Sequence, residues 1–415
     1  MPSFFSFLLA LTVATNSLTS LVNAAGEDLI QPASVSSSGG LLETMLSMEV
    51  ATISTPDYEI VTRALNGTVP GPTIRLRAGD TFKLRLVNNL KQGQGNAFKN
   101  NAISAPDETN IHYHGLHVDG DLPSDYSKFV LKPGQEYTYT SLLPPLYVTP
   151  TPNVTNTHMG GTHWLHPHRH GSTTVQVVGG AASAIIVDDP DGFLPAQVAS
   201  SQEVIMVVQQ LFLGDAASLE SKAGGNTFKI NRGGGGLTVN GQIQPVVRTD
   251  ANQWMRLRII FAAWKKGRLS VSVPGCEMQL LAKDGVYIRN FPRSINTATI
   301  FLGGRADIMV RCPNPSSTYT IKDGGNTLAT ISTSANTVTS TSFQPWTVTY
   351  PDYLQDLTNT PASSGCACVT SFGGREVNGK PFSPNNSTPL HEGYLGAVLE
   401  RRIEAGDHPY VRGQT

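Results

Sequence analysis

"TIRLRAGDTFKLRLVNNL", residues 73–90, alternates with a period of two: Ile74, Leu76, Phe82, Leu84 and Leu86 are interleaved with Arg75, Arg77, Lys83 and Arg85. Such alternation buries one side of a strand and leaves the other in water. Gly79-Asp80 interrupts it, so the stretch reads as a hairpin with one buried face. "VPGP" (69–72) in front is a loop signal, and "AASAIIVDDP" (181–190) reads as a buried strand closed by Pro190. These segments bound a first β-domain over residues 41–190.

Similar runs follow: "EVIMVVQQLFL" (203–213), "QWMRLRIIFA" (253–262), "RLSVSV" (268–273), "EMQLLAKDGVYI" (277–288), "TATIFLGGRADIMVRC" (297–312) and "TYTI" (318–321). They define a second β-domain over 200–331. The Gly-rich "NRGGGGLTVNGQ" (231–242) reads as a loop and lacks the Lys-Ser/Thr of a phosphate cradle. Overlapping its end, "LTVNGQIQP" (237–245) echoes "TRALNGTVPGP" (62–72), a faint internal repeat. The polar stretch 332–365 reads as a linker. Residues 366–415 are too few for another domain of the same size and read as the fragment of one.

Composition supports short strands and turns. Of 415 residues only 15% are charged, while Gly numbers 40 and Pro 27. A formal net charge of -1 gives no electrostatic basis for binding nucleic acid or an anionic membrane. At the start, Phe4 to Ala14 is apolar and Val22-Asn23-Ala24 has the small-x-small form of a cleavage site, so residues 1–24 read as a signal peptide. Asn16 and Ser17 interrupt the apolar run too early for a membrane span. The expected location is therefore extracellular. Sequons at Asn66, Asn153 and Asn385-Asn386 agree with a secreted glycoprotein. Cys276, Cys312, Cys366 and Cys368 permit three disulfide connectivities.

The chemistry concentrates in two places. "NIHYHGLHVDG" (110–120) holds His112, His114 and His117, and "GTHWLHPHRHG" (161–171) holds His163, His166, His168 and His170. Each contains an H-x-H pair. On a strand such a pair faces one way with about 7 Å between the residues, which suits one ligand each to neighbouring ions better than chelation of one. Two such strands side by side would present four nitrogens. Imidazole suits Cu, Zn, Fe and Ni, with copper highest in intrinsic affinity. No H-E-x-x-H supports a zinc hydrolase.

"IHYHGLHVDG" (111–120) and "GTHWLHPHRHGSTTVQVVGGAASAIIVDDP" (161–190) resemble the first and second copper motifs of the multicopper oxidases, the laccase and bilirubin-oxidase family. The likeness extends to "LNGTVPGPTIRLRAGDTFKLRLVNNL" (65–90), "LTVNGQIQP", "CEMQLLAKDGVYI" (276–288) and "GGRADIMVRC" (303–312), covering residues 55–315. The resemblance implies an all-β fold of tandem cupredoxin-like Greek-key β-barrels, two complete and a third partial. It implies copper as cofactor, O2 and small reducing substrates as partners, and one-electron oxidation of phenolic, amine, pigment or metal-ion donors coupled to reduction of O2 to water. His112 would ligate the type 2 copper, and His114, His166 and His168 the type 3 pair. Asp125, in "PSDY" (123–126), matches the region of an acidic residue that aids protonation, or is a turn-forming Asp. His117, His163 and His170 fall at non-ligand positions and are read as exposed, with orientation of ligand rings as the alternative.

The family draws its other ligands from H-P-x-H-x-H and H-C-H motifs in a third domain. Here "EAGDHPYVRGQT" (404–415) offers His408-Pro409, then Val411 where the next His is expected, and no H-C-H occurs. These departures imply that the chain as given is inactive. Three expectations follow: a third domain truncated or out of frame, a catalytically silent copper-binding remnant, or self-association that supplies the missing imidazoles.

Overall fold

Period-two alternation along the chain resolves into two β-sandwiches packed against each other. The computed structural model describes residues 26–348 and 350, apart from 145–146, 149–154 and 157, together with 372–373, 376–377 and 380–381. The first sandwich contains β1 (Ser34–Ser36), β2 (Leu41–Ser54), β3 (Glu59–Leu65), β4 (Thr73–Arg77), β5 (Thr81–Asn88), β6 (His112–His114) and β7 (Glu136–Leu142). It also has the small pair β8 (Tyr147–Val148) and β9 (Thr155–Asn156), then β10 (Gly161–His166), helix α1 (Thr173–Val178) and β11 (Ser183–Asp188). Its sheets run in the order β1-β4-β11-β10-β6 and, with β13 added below, β13-β3-β2-β5-β7.

After helix α2 (Ala196–Ala199), the second sandwich begins with β12 (Gln202–Phe212), followed by helix α3 (Leu213–Lys222) and by β13 (Lys229–Arg232), which joins the first sandwich, then β14 (Gly235–Val239), β15 (Val246–Ala251), β16 (Trp254–Ala262) and β17 (Arg268–Ser272). It continues through β18 (Glu277–Lys283), β19 (Val286–Tyr287), β20 (Asn290–Phe291), β21 (Ala298–Phe301), β22 (Arg305–Arg311), β23 (Thr318–Asp323) and β24 (Asn326–Thr337). The sheets are β14-β12-β16-β22-β18-β19 and β15-β24-β23-β17-β21. Among the described residues no helix is long and apolar enough to cross a membrane.

Residues 73–90 are not a hairpin. β4 pairs with β1 and β11 in one sheet, whereas β5 pairs with β2 and β7 in the other. The Gly79-Asp80 turn carries the chain across the sandwich. Ile74, Leu76, Phe82, Leu84 and Leu86 are each fully buried and meet in a single core from opposite sheets. Either arrangement buries the same residues, so alternation alone could not distinguish them.

Three further expectations are corrected. The Gly-rich segment is partly strand, because β13 and β14 pair with β3 and β12. Gly235 has φ +66°, and a Cβ there would collide with the Leu211 carbonyl, so only glycine fits this close approach. The linker expected from 332 begins as strand, since β24 runs to Thr337, opposite Ala251. Thr333 is buried and its hydroxyl donates to Asn314 O at 2.7 Å, so polar composition there does not mean solvation. Phe343 then packs on Trp254 with ring centroids 4.3 Å apart. Finally, helix α3 follows β12 directly, where the sequence reading has strand and loop alone.

The internal repeat has a structural counterpart. Asn66-Gly67 and Asn240-Gly241 are both turns with positive φ, 51° and 69° in the first and 51° and 79° in the second. Asn66 Oδ1 accepts from Ser47 N at 2.7 Å, and Asn240 Oδ1 accepts from Val207 N at 2.8 Å. A disulfide joins Cys276 and Cys312. Cys366 and Cys368, residues 1–24, the sequons at Asn153 and Asn385, and His408 lie outside the described residues.

The sandwiches meet on the outer face of the sheet that carries the histidines. Trp164, Ala182, Ala184 and Ile186 pack against Ile205, Val207, Ile260 and Ala262. This explains why every residue of β10 is buried: one face covers the first core and the other covers the second sandwich.

Candidate metal centre

β6 and β10 are adjacent and antiparallel, with His112 opposite His166 and His114 opposite Trp164. Tyr113 points the other way, into the core beside Phe82 at 5.3 Å between ring centroids. Anchoring the middle residue turns His112 and His114 to the opposite face, as the strand period requires. Asn110 ties in the loop after β10: its Oδ1 accepts from His168 N at 2.7 Å, and its Nδ2 donates to Ser127 O and Phe129 O.

His112, His114 and His166 each place a ring nitrogen so that the three atoms lie within 4.8 Å of one another. His114 Nδ1 and His166 Nε2 are 3.4 Å apart. Metal–imidazole bonds of about 2.0–2.1 Å bring two ligand atoms to roughly this separation. His166 Nδ1–H donates to Pro167 O at 3.0 Å, which leaves the Nε2 lone pair for the cluster. His168 joins from the loop, its ring centroid 5.1 Å from His112 and 5.7 Å from His166, and it is exposed at the rim. The donor set fits a metal that prefers nitrogen.

Burial pushes the His166 imidazole well below its usual range. His114 is lowered to about 3, first by burial, then by the Arg305 guanidinium and its neighbouring rings. Both rings are therefore neutral lone-pair donors near neutral pH, and proton competition for them is weak.

Asp125 is buried beside this group. Its Oδ1 accepts from Tyr113 N at 3.0 Å, and its Oδ2 lies 2.9 Å from His112 Nδ1. The ring N–H does not point at Oδ2 well enough for a hydrogen bond, so the contact is an electrostatic one that holds Nδ1 toward the carboxylate and turns Nε2 away. Metal-ligating histidines commonly have such a carboxylate partner. Asp125→Asn is expected to weaken Cu(II) affinity on the order of 10-fold in titration calorimetry; an unchanged Kd would remove Asp125 from the site.

The other histidines depart from expectation, because none of His117, His163 and His170 is exposed. His163 is 1% accessible, with Nδ1 and Nε2 both lacking a partner, and a Cβ on Gly285 would collide with its ring. His117 donates its backbone N–H to His158 Nε2 at 3.0 Å, and His170 Nε2 accepts from Asn101 N at 3.3 Å. Gly285 of the second sandwich lies against the His163 ring, which the first domain's sequence could not reveal. Also missed were Gly303 and Arg305, which reach the histidines from the turn between β21 and β22.

Profiles of the multicopper oxidases match residues 204–344 and 48–95. Two multicopper oxidase family models thus match the chain, one in each sandwich. "Multicopper oxidase mco" of Staphylococcus aureus is 28% identical over 202 residues, covering 48% of this chain and 37% of that protein. "Laccase-1" of Thanatephorus cucumeris is 25% identical over 276 residues, covering 62% of this chain and 42% of that one. The matches thus span less than half the length of these curated relatives. Among solved structures, a multi-copper oxidase from Pediococcus acidilactici superposes with TM-score 0.61 at 18% identity, covering 82% of this chain and 66% of that chain. The blue copper oxidase from Nitrosomonas europaea gives TM-score 0.53 at 23% identity, covering 70% of this chain and 86% of that chain. These likenesses make the fold tandem cupredoxin and all-β, and the match to the multicopper oxidase models implies copper as the cofactor.

Proposed function

We propose that this chain is a secreted multicopper oxidase-like protein in which His112, His114, His166 and His168 hold copper. The convergence of three ring nitrogens, from His112, His114 and His166, within 4.8 Å carries the reading. Bound copper supplies one-electron redox chemistry. The chain's own residues hold it with neutral imidazoles and orient His112 through Asp125. The reaction proposed for the whole protein is oxidation of phenolic, amine or metal-ion donors, coupled to reduction of O2 to water.

The sequence contains no H-C-H, and the Cys276–Cys312 disulfide withholds two thiols from metal. On that ground the 415 residues alone bind copper without oxidase turnover. Titration of the metal-free chain with Cu(II) tests the site: His166→Ala is expected to lower affinity by at least about 100-fold, the upper end of what loss of an outer partner costs. Equal binding by both proteins ends the proposal. Oxygen uptake with a phenolic donor is expected to be absent, and its presence would restore an active oxidase.

The disulfide and the apolar leader support secretion. Protein recovered from the medium should begin after Ala24, and retention of residues 1–24 would contradict this. The edge position of β6 favours a further reading, in which chains associate to supply more imidazoles. Sedimentation as a monomer would rule that out.

A further inference from the structure

Trp164 touches two of the histidines at once. Its ring stacks on His114 with centroids 5.1 Å apart at 21°, and on His166 at 4.3 Å and 29°. The indole is 3% accessible, so these contacts are dry. Its Nε1–H donates to Gly303 O at 3.1 Å, in the turn between β21 and β22 of the second sandwich. That same turn bears on His114. Gly303 has φ +72°, and a Cβ added there would stand 2.8 Å from His114 Cε1.

Arg305 fixes the turn in place. Its Nε donates to Thr162 O at 3.2 Å, on the strand that carries Trp164, its Nη1 to Gly303 O at 3.3 Å and its Nη2 to Asp284 O at 2.8 Å. The His114 ring is therefore held between an indole and a glycine turn that are hydrogen-bonded to each other. His166 shares the indole.

We propose that Trp164 is a positioning residue for the copper centre: it orients the His114 and His166 rings before metal binds and, through Gly303, makes metal affinity depend on docking of the second sandwich. The proposal rests on the copper site proposed above. Its physical basis is pre-organisation, because a ring already stacked loses little rotational freedom on coordination. A Trp that only filled the interface would act through volume, and an aromatic replacement would then leave metal binding unchanged.

The test uses the full metal-free chain with Cu(II) as the probe, read by calorimetry and by tryptophan fluorescence. Cu(II) should quench part of the wild-type emission with the stoichiometry of binding. In Trp164→Phe that quenching should vanish, since Trp254, Trp264 and Trp346 pack elsewhere, while affinity falls on the order of 10-fold. Gly303→Ala retains Trp164 yet crowds His114, and should lower affinity by a similar factor with quenching preserved at saturation. Thermal unfolding of the metal-free variants verifies folding, and either variant alone suffices if the other does not fold. Wild-type affinity in a folded variant overturns the positioning role alone. Failure of the wild-type chain to bind Cu(II) overturns the copper site, and the positioning role with it.

Discussion

Asp307→Ala is expected to destabilise the metal-free chain by about 3–5 kcal/mol, the cost of leaving buried charge without its partner. Asp307 is 1% accessible and sits where the two sandwiches meet. Its Oδ2 accepts from Arg256 Nε and Nη2 at 2.9 and 2.6 Å and from Arg258 Nη1 at 3.2 Å. Its Oδ1 accepts from Thr162 Oγ1 at 2.6 Å, on β10 of the first sandwich. Arg256 and Arg258 are 4% and 3% accessible, so neither guanidinium can turn to water when the carboxylate is lost.

The same network runs on through Glu203, which accepts from Arg258 Nε and Arg75 Nη1, each at 2.6 Å. Arg75 in turn pairs with Asp188 at 2.5 Å. These outer members are roughly a quarter accessible, and their loss should cost about 1 kcal/mol or less. Urea unfolding followed by circular dichroism separates the two classes. A loss for Asp307→Ala no larger than that for Asp188→Ala would show that the buried network does not hold the sandwiches together.

Acidification provides the second large effect. His158 is lowered from the usual 6.5 to about 4, chiefly by burial and further by His117. Its Nδ1–H donates to Met159 O at 2.8 Å and its Nε2 accepts from His117 N, so a second proton would have to displace that backbone donor. His163 is pushed well below its usual range, first by burial, then by His158, Arg305, His117 and Arg258. The folded state binds these protons more weakly than the unfolded state. The stability they contribute is therefore intact above about pH 6.5 and is lost as the pH falls toward 4. At about 1.4 kcal/mol for each pH unit of displacement, His158 alone accounts for on the order of 3 kcal/mol.

The control is His163→Phe, which removes two buried nitrogens that lack partners. It should be neutral or mildly stabilising at pH 7 and should flatten the acid limb of the profile. Metal-free protein whose stability is level from pH 7 to 4.5 would contradict the burial of both rings.

Much of the fold was legible because strand alternation is a local property. The buried set Ile74, Leu76, Phe82, Leu84 and Leu86 follows from spacing alone. The faint internal repeat likewise corresponds to two turns, Asn66-Gly67 and Asn240-Gly241, whose positive φ angles suit Asn and Gly. Helix α3 escaped notice because its N-cap is Phe212, which offers no capping side chain, and Gly214 stands at its second position.

The site divides along the same line. The two H-x-H pairs announce themselves by spacing, and strand period turns His112 and His114 to one side, but β10 ends at His166 and His168 joins from the loop beyond it. Their partners do not. Trp164 and Gly303 are 139 positions apart, and no local pattern links them. His163 was misjudged for the same reason, because its cover comes from residues near Gly285.

The amino-acid sequence by itself determined that strands form, which side chains of the alternating strands are buried, and that His112 and His114 share one strand face. Only the tertiary structure decided that β4 and β5 cross between sheets, that His112 faces His166, and that a turn of the second sandwich presses on His114. Alternation records which face of a strand avoids water but not which strand or sheet covers it. That choice is made by contacts between residues far apart in the chain.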